Sequence, residues 1–225
     1  QSQLIQSVVD KIQRSHQGND EDIRGTVRVA LPEGICMEAL TPLLPSFYSD
    51  YPKINLILNV SSNTANLTRG EADIAVRLFR PQESNLVAKY LGRMTMGLFA
   101  SSAYLKTYGY PVTSSELKHH RIITYGDQLS TLAENQWLVK HSASTSSILS
   151  SDNTIARLKA TVAGVGISVQ PQLFCRMNPE LVPVLEDTKL PDHEVWIAYH
   201  NDLRHLARIR AVVGFISEKL ELSKN

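Results

Sequence analysis

Residues 150–174, SSDNTIARLKATVAGVGISVQPQLF, pass without a break from helical to strand spacing of apolar positions, and the rest of the chain is arranged around them. Ser150, Ser151, Asp152 and Asn153 carry side-chain oxygens suited to the free N–H groups of a first helical turn, and Ile155, Leu158 and Val162 follow at helical intervals. Gly164 is placed for the left-handed residue that closes a helix, 166–169 for a brief buried strand, and Pro171 for the first turn of a second helix. The N–H groups left over at such a helix start can receive a carboxylate or another anion.

Ahead of this stretch the pattern alternates strand and helix. Leu4, Val8 and Ile12, with Ile5 and Val9 beside them, predict an amphipathic helix over 1–15, followed by a polar connection to about residue 23; its stripe packs on the body or pairs with another chain. Residues 25–31 predict a strand that Pro32, Glu33 and Gly34 turn into a helical region ending near Asp50. Residues 54–60 are apolar on both faces and predict a central strand of a covered parallel sheet. Ser61, Ser62, Asn63 and Thr64 then cap a short helix over 65–69, and 73–78 form a third strand. Further strands are predicted over 93–100, 121–125, 137–139, 182–185 and 193–199. Ser101 and Ser102 cap a helix over 103–107, and Ile209, Val212, Val213 and Ile216 mark a last helix over 207–219.

At 225 residues and 43% hydrophobic content, the chain has room for one large domain or two lobes of about 100 residues each. The formal charge of +1 provides no basic face for nucleic acid. Apolar runs stop short of the roughly 18 residues that cross a bilayer, and residues 1–20 lack a signal peptide's apolar core, so a cytoplasmic chain without a membrane partner is expected. Cys36 and Cys175 form no CxxC pair and fit a reducing compartment. His119, His120, His193, His200 and His205 lack metal-ligand spacing; no metal or cofactor is expected. Gly164 and Gly166 follow a helix and open a strand, the reverse of a dinucleotide phosphate loop, and without a GxSxG elbow nothing points to an enzyme. Cys36 follows a strand-to-helix turn, where it is either a stabilised thiolate or a small packed residue, while Arg77 and Arg80 either bind an anion or are solvated or interfacial.

Three motifs then occur in order: LxPxLPSFxxxYPxIxLxL from Leu40 to Leu58, LxxGEADIAVR from Leu67 to Arg77, and VAGVGISVxP from Val162 to Pro171. Together with DLRxxxRIRAVxxF from Asp202 to Phe215, they resemble the effector-binding domain of LysR-type transcriptional regulators across nearly the whole chain. The resemblance implies a type 2 periplasmic-binding-protein-like fold: two Rossmann-like α/β lobes, joined by two crossover strands, with a small-molecule cleft between them. It places residues 24–93 and 200–225 in lobe I and 94–199 in lobe II, with 1–23 as the end of a linker helix and its linker. It further implies a homodimer or homotetramer that reaches promoter DNA only through a winged helix-turn-helix preceding Gln1. A free-standing solute-binding protein of a transporter is the alternative on the same fold.

Ligands of open α/β sheets sit outside the carboxyl ends of the strands. That rule selects Pro32, Glu33, Gly34 and Ile35; Ser61, Ser62, Asn63 and Thr64; Ala100, Ser101 and Ser102; Thr124 and Tyr125; and Ser151, Asp152 and Asn153. Their hydroxyls and helix-start N–H groups suit an anionic effector, whereas Glu33 and Asp152 would repel an anion or select a zwitterion.

Overall fold

The computed structural model describes residues 23–60, 71–142, 147–220 and 222–223; the expected helix over 1–15 and cap over 61–64 lie outside them. The chain forms two units, each with its own five-stranded sheet.

In the first unit, strand β1 (Gly25–Leu31) runs parallel to β2 (Ile54–Val60) and β3 (Ile74–Arg77), with Val27, Val29 and Ile74 fully buried. Leu31 stands beside Val60, so β1 and β2 end on one edge. β10 (His193–His200) adds antiparallel to β3, and β4 (Leu86–Met94) completes the order β2-β1-β3-β10-β4. Two expectations change here. The sheet is mixed, because β10 enters in the opposite direction, and 54–60 form an edge strand on which Ile57 and Val60 are 38% and 39% exposed. Apolar residues on both faces of a strand do not by themselves say what covers the outer face.

The helical region after β1 is not one regular helix. Ile35–Leu40 is a π turn and Thr41–Leu43 a 3₁₀ turn before α1 (Leu44–Asp50), in a stretch where Pro42 and Pro45 have no N–H to donate. Phe47 of α1 meets Phe215 edge-to-face, with centroids 5.0 Å apart. Phe215 belongs to the last helix, α6 (Ala207–Lys219), which also buries Ile209, Val212 and Ile216.

In the second unit, β6 (Ile122–Thr124) runs parallel to β7 (Ser147–Ser150) and β8 (Ile167–Pro171), while β5 (Met96–Ser101) runs antiparallel to both β8 and β9 (Leu181–Val184). Helices α2 (Ser102–Tyr108), α3 (Ala133–His141), α4 (Thr154–Val162) and α5 (Gln172–Cys175) connect them. Gly164 takes φ +81° directly after α4; its N–H bonds the Thr161 carbonyl and that of Val165 the Ala160 carbonyl, the paired closure that a left-handed glycine allows.

Residues 137–139 are helical, not a strand. An apolar run of three is ambiguous between the two, and helix formation buries Leu138 together with Glu134 and Asn135 while Trp137 stacks on His141 four residues on. The strand of this region is the more polar β7. The strand expected over 93–100 is two, β4 and β5, broken at Thr95.

The chain leaves the first unit after Gly92 and re-enters it at Glu194, so β10, expected in lobe II, belongs to the first sheet. Val195, Ile197 and Ala198 are fully buried there between β3 and β4. Leu222 and Ser223 belong to the second unit, where Ser223 and Arg93 exchange N–H···O bonds of 2.9 and 3.1 Å.

Candidate functional site

Because β6, β7 and β8 are parallel, the carboxyl ends of β6 and β7 share one edge of the second unit's sheet. Thr124 is the last residue of β6, and its Oγ1 lies 2.9 Å from Ser147 Oγ and 2.7 Å from Ser150 Oγ. Residues three apart in a regular strand face opposite ways; the register shift between Ile122 and Ile123 breaks that alternation and turns both serines toward Thr124. Ile148, within the irregularity, is 49% exposed. Thr124 itself is buried, so the serines present the cluster to solvent.

Beneath this edge lie two buried charged side chains that share Tyr125 as a neighbour. Arg157 is 2% exposed and its guanidinium sits 3.9 Å from the centre of the Tyr125 ring. It donates to the Ser151 carbonyl at 2.5 Å and to Thr154 Oγ1 at 3.2 Å, while its Nε meets no acceptor among the described residues. Glu134 is 1% exposed; its Oε1 accepts from the Tyr125 hydroxyl at 3.3 Å and from His193 Nε2 at 2.9 Å. Burial pushes the Tyr125 hydroxyl far up, and the Glu134 charge adds to it. Burial would also raise the Glu134 carboxyl, but the His193 hydrogen bond and further hydrogen bonds outweigh it and hold the group below its ordinary value. Burial lowers Arg157, which as an arginine keeps its charge.

The polar line continues under α4. Thr161 Oγ1 donates to the Arg157 carbonyl, so Ser168 must donate to Thr161, and Gln170 Nε2 donates to Ser168. Direction is thereby set along the whole line, and Gln170 Oε1 is left at its end without a donor among the described residues.

Several candidate residues have definite structural tasks. Asp152 is a strut: its carboxylate accepts from Gln128 N at 3.4 Å and Leu129 N at 3.0 Å, fixing the turn that follows β6. Asn153 is the N-cap of α4, its Oδ1 accepting from Ala156 N at 2.8 Å. Ser151 donates its N–H to the Thr124 carbonyl, and Tyr125 donates its own to Asn135 Oδ1 at 2.9 Å. Thr124, Tyr125, Ser151, Asp152 and Asn153 are thus gathered at one edge.

Ala100, Ser101 and Ser102 are not part of it. β5 runs antiparallel to β8, so its carboxyl end lies at the opposite edge of the sheet. Ser101 Oγ there accepts from Tyr104 N at 3.2 Å, beside Gly164 at the far end of α4. In the first unit, Pro32, Glu33, Gly34 and Ile35 follow β1 and lead into the π turn, with Cys36 N–H bonded to the Pro32 carbonyl and Ile35 buried. Ser61, Ser62, Asn63 and Thr64 lie outside the described residues.

Cys36 is 3% exposed and burial pushes its thiol up, the opposite of what a thiolate sensor needs. Arg77 is buried against Glu83 at 2.9 Å, and Arg80 lies over the Trp196 ring at 5.3 Å. Glu134, Arg157, Ser147, Ser168 and Gln170 did not stand out in the sequence. Arg157 and Thr161 flank Leu158 on the buried face of α4, where the helical pattern alone would place charge toward water.

No described helix is long and apolar enough to cross a membrane. A probable HTH-type transcriptional regulator from Klebsiella pneumoniae, LtrA, is 24% identical over 206 residues, covering 87% of this chain and 66% of that protein. An HTH-type transcriptional regulator from Xanthomonas campestris is 37% identical over 100 residues, 44% of this chain and 29% of its own length. The chain therefore spans less than two thirds of either relative. The regulatory domain of CrgA, a LysR-type transcriptional regulator from Neisseria meningitidis, has a similar structure, with TM-score 0.74 and 25% identity over 88% of this chain and 99% of that one. The model of the LysR substrate binding domain matches residues 20–221, and the chain accordingly belongs to that family.

Proposed function

We propose that the chain is the effector-sensing regulatory domain of a LysR-type transcriptional regulator and that its effector is anchored at the carboxyl edge of the second unit's sheet. The observation that carries this is the hydroxyl cluster of Thr124, Ser147 and Ser150, the polar group of that edge whose partners are chiefly one another. The neighbouring charges are committed: Arg157 to Ser151 and Thr154, Glu134 to His193 and Tyr125, and Asp152 to backbone N–H groups. Asp152 is turned to the backbone N–H groups of Gln128 and Leu129, and hydroxyl donors beside the first turn of α4 suit a small carboxylate.

The test is differential scanning fluorimetry of the whole chain against a panel of small carboxylates and neutral polyols, repeated on Thr124→Val. That variant keeps the shape but removes the hydroxyl both serines contact. It is expected to weaken binding by about tenfold, one or two hydrogen bonds' worth, with little change in the melting temperature of the free protein. A carboxylate whose midpoint is the same in Thr124→Val and the parent would place the effector elsewhere.

On this proposal the domain also associates with a second copy, and effector binding changes the geometry of that assembly on promoter DNA, which a winged helix-turn-helix outside the present chain would contact. Both sheets expose aliphatic residues on an edge strand, Ile57 and Val60 on β2 and Ile148 on β7. Light scattering is expected to give at least twice the 25.1 kDa of one chain, falling to that mass in the double variant Ile57→Lys, Ile148→Lys. A parent that runs as a single chain at tens of micromolar would contradict the association.

A further inference from the structure

We propose that the second unit carries another small-molecule site, in a groove between β5, α5 and β9, and that it takes an apolar α-amino acid or a close zwitterionic analogue. The groove has a volume of about 360 Å³, inside the range of roughly 300–1,000 Å³ typical of small-molecule pockets. All its lining residues belong to the second unit, and none belongs to the hydroxyl cluster at the ends of β6 and β7.

Its floor is apolar and its depth depends on one glycine. Phe99 and Pro183 are register partners on β5 and β9, and Leu181 lies two residues from Pro183 on the same face of the sheet. A Cβ at Gly97 would meet the Phe99 ring at 2.9 Å and Gln172 Cγ at 3.5 Å, so any side chain at 97 would displace that ring and enter the space. One lip is formed by Leu185, which takes φ +52°, a conformation that leucine rarely adopts and that costs free energy. Thr188 N–H closes the turn onto the Leu185 carbonyl at 2.9 Å, and Leu185, Glu186 and Thr188 all line the groove.

The mouth carries one charge of each sign, Arg176 from the α5 side and Glu186 from the β9 side, both exposed. Gln172 is held by the Thr95 hydroxyl, which donates to its Oε1 at 3.1 Å. A simple carboxylate would match Arg176 but face Glu186, and a simple amine the reverse. A molecule bearing both charges at one end and an aliphatic or aromatic body at the other satisfies rim and floor together. This site stands independently of the proposed effector edge.

Isothermal titration calorimetry of the whole chain with L-leucine and L-phenylalanine, alongside isoamylamine and 4-methylpentanoate, tests it. The expected result is saturable one-site binding of an amino acid, with the amine and acid weaker. R176Q and E186Q, at exposed rim positions, are each expected to weaken it by about tenfold, the loss of one charge-assisted contact, without lowering the melting temperature. G97V should abolish it, and T124V should leave it unchanged. No saturable heat with either amino acid, or an affinity in R176Q and E186Q unchanged from that of the parent chain, would overturn the proposal. Loss of binding in T124V would assign the amino acid to the other edge, and a change of solution mass in R176Q would assign the groove to a contact between copies; either also overturns it.

Discussion

Replacing Arg157 with alanine is expected to destabilise the second unit by about 3–5 kcal/mol, the range for removing one partner from a buried charged network. The substitution strips the cation from the face of Tyr125, leaves the Ser151 carbonyl without its donor, and opens a hole beneath α4 at a position only 2% exposed. It also removes the buried positive charge nearest to Tyr125 while Glu134 stays ionised. Urea unfolding followed by tyrosine and tryptophan fluorescence measures it. Arg157→Lys should recover little, since an ammonium cannot reach both Ser151 and Thr154 from one plane or lie flat on the ring. A loss below about 1 kcal/mol, the value of an exposed pair, would show that the arginine is solvated in solution.

Glu134→Ala is expected to cost a similar amount, about 3–5 kcal/mol, because the buried Tyr125 hydroxyl and His193 both lose their acceptor and a buried charged network loses one of its members. Glu134 adds a pH signature. Its carboxyl is held below the ordinary 4.5, so on acidification the unfolded chain takes up the proton first. The stabilisation is therefore full above pH 4.5 and drains as pH falls from there through the folded-state value. In Glu134→Gln the stability curve should be flatter across that acid limb. Arg157 and Glu134 both act on Tyr125, so the double variant should lose less than the two single losses added.

How far such a network could be foreseen depends on which interactions build each element. β1 and α6 have the bounds that spacing predicts, Gly25–Leu31 and Ala207–Lys219, because each follows from local periodicity over seven or more residues. Gly164 was legible as well, since only a left-handed closure explains a glycine there. What the pattern could not show was long-range pairing. β10 reads as a strand, yet the sheet that takes it up depends on β3, more than a hundred residues earlier. Ser101 is a cap as its sequence indicates, but that β5 runs antiparallel to β8, and so carries the cap to the far edge, is a fact of topology.

The edge proposed to hold the effector was half legible. The run from Thr124 to Tyr125 and the polar stretch 151–153 meet there, but the hydroxyl cluster depends on a register shift that brings Ser147 and Ser150 to one side, and no spacing rule encodes that shift. Arg157, Thr161 and Glu134 were hidden for a different reason. Their polarity marks them for solvent, and only partners brought in from β6, β8 and the start of β10 make their burial tolerable.

Anchoring of an effector where β6, β7 and α4 converge, as proposed, can be read residue by residue in a proton–nitrogen NMR titration of the whole chain with the small carboxylates that raise its melting temperature. Saturable shifts are expected at the amides of Tyr125, Leu129 and residues 150–155, all with one midpoint and all displaced to higher concentration in Thr124→Val. Saturable shifts confined to other segments, such as the Ser101 cap or α6, with these amides unmoved, would contradict it.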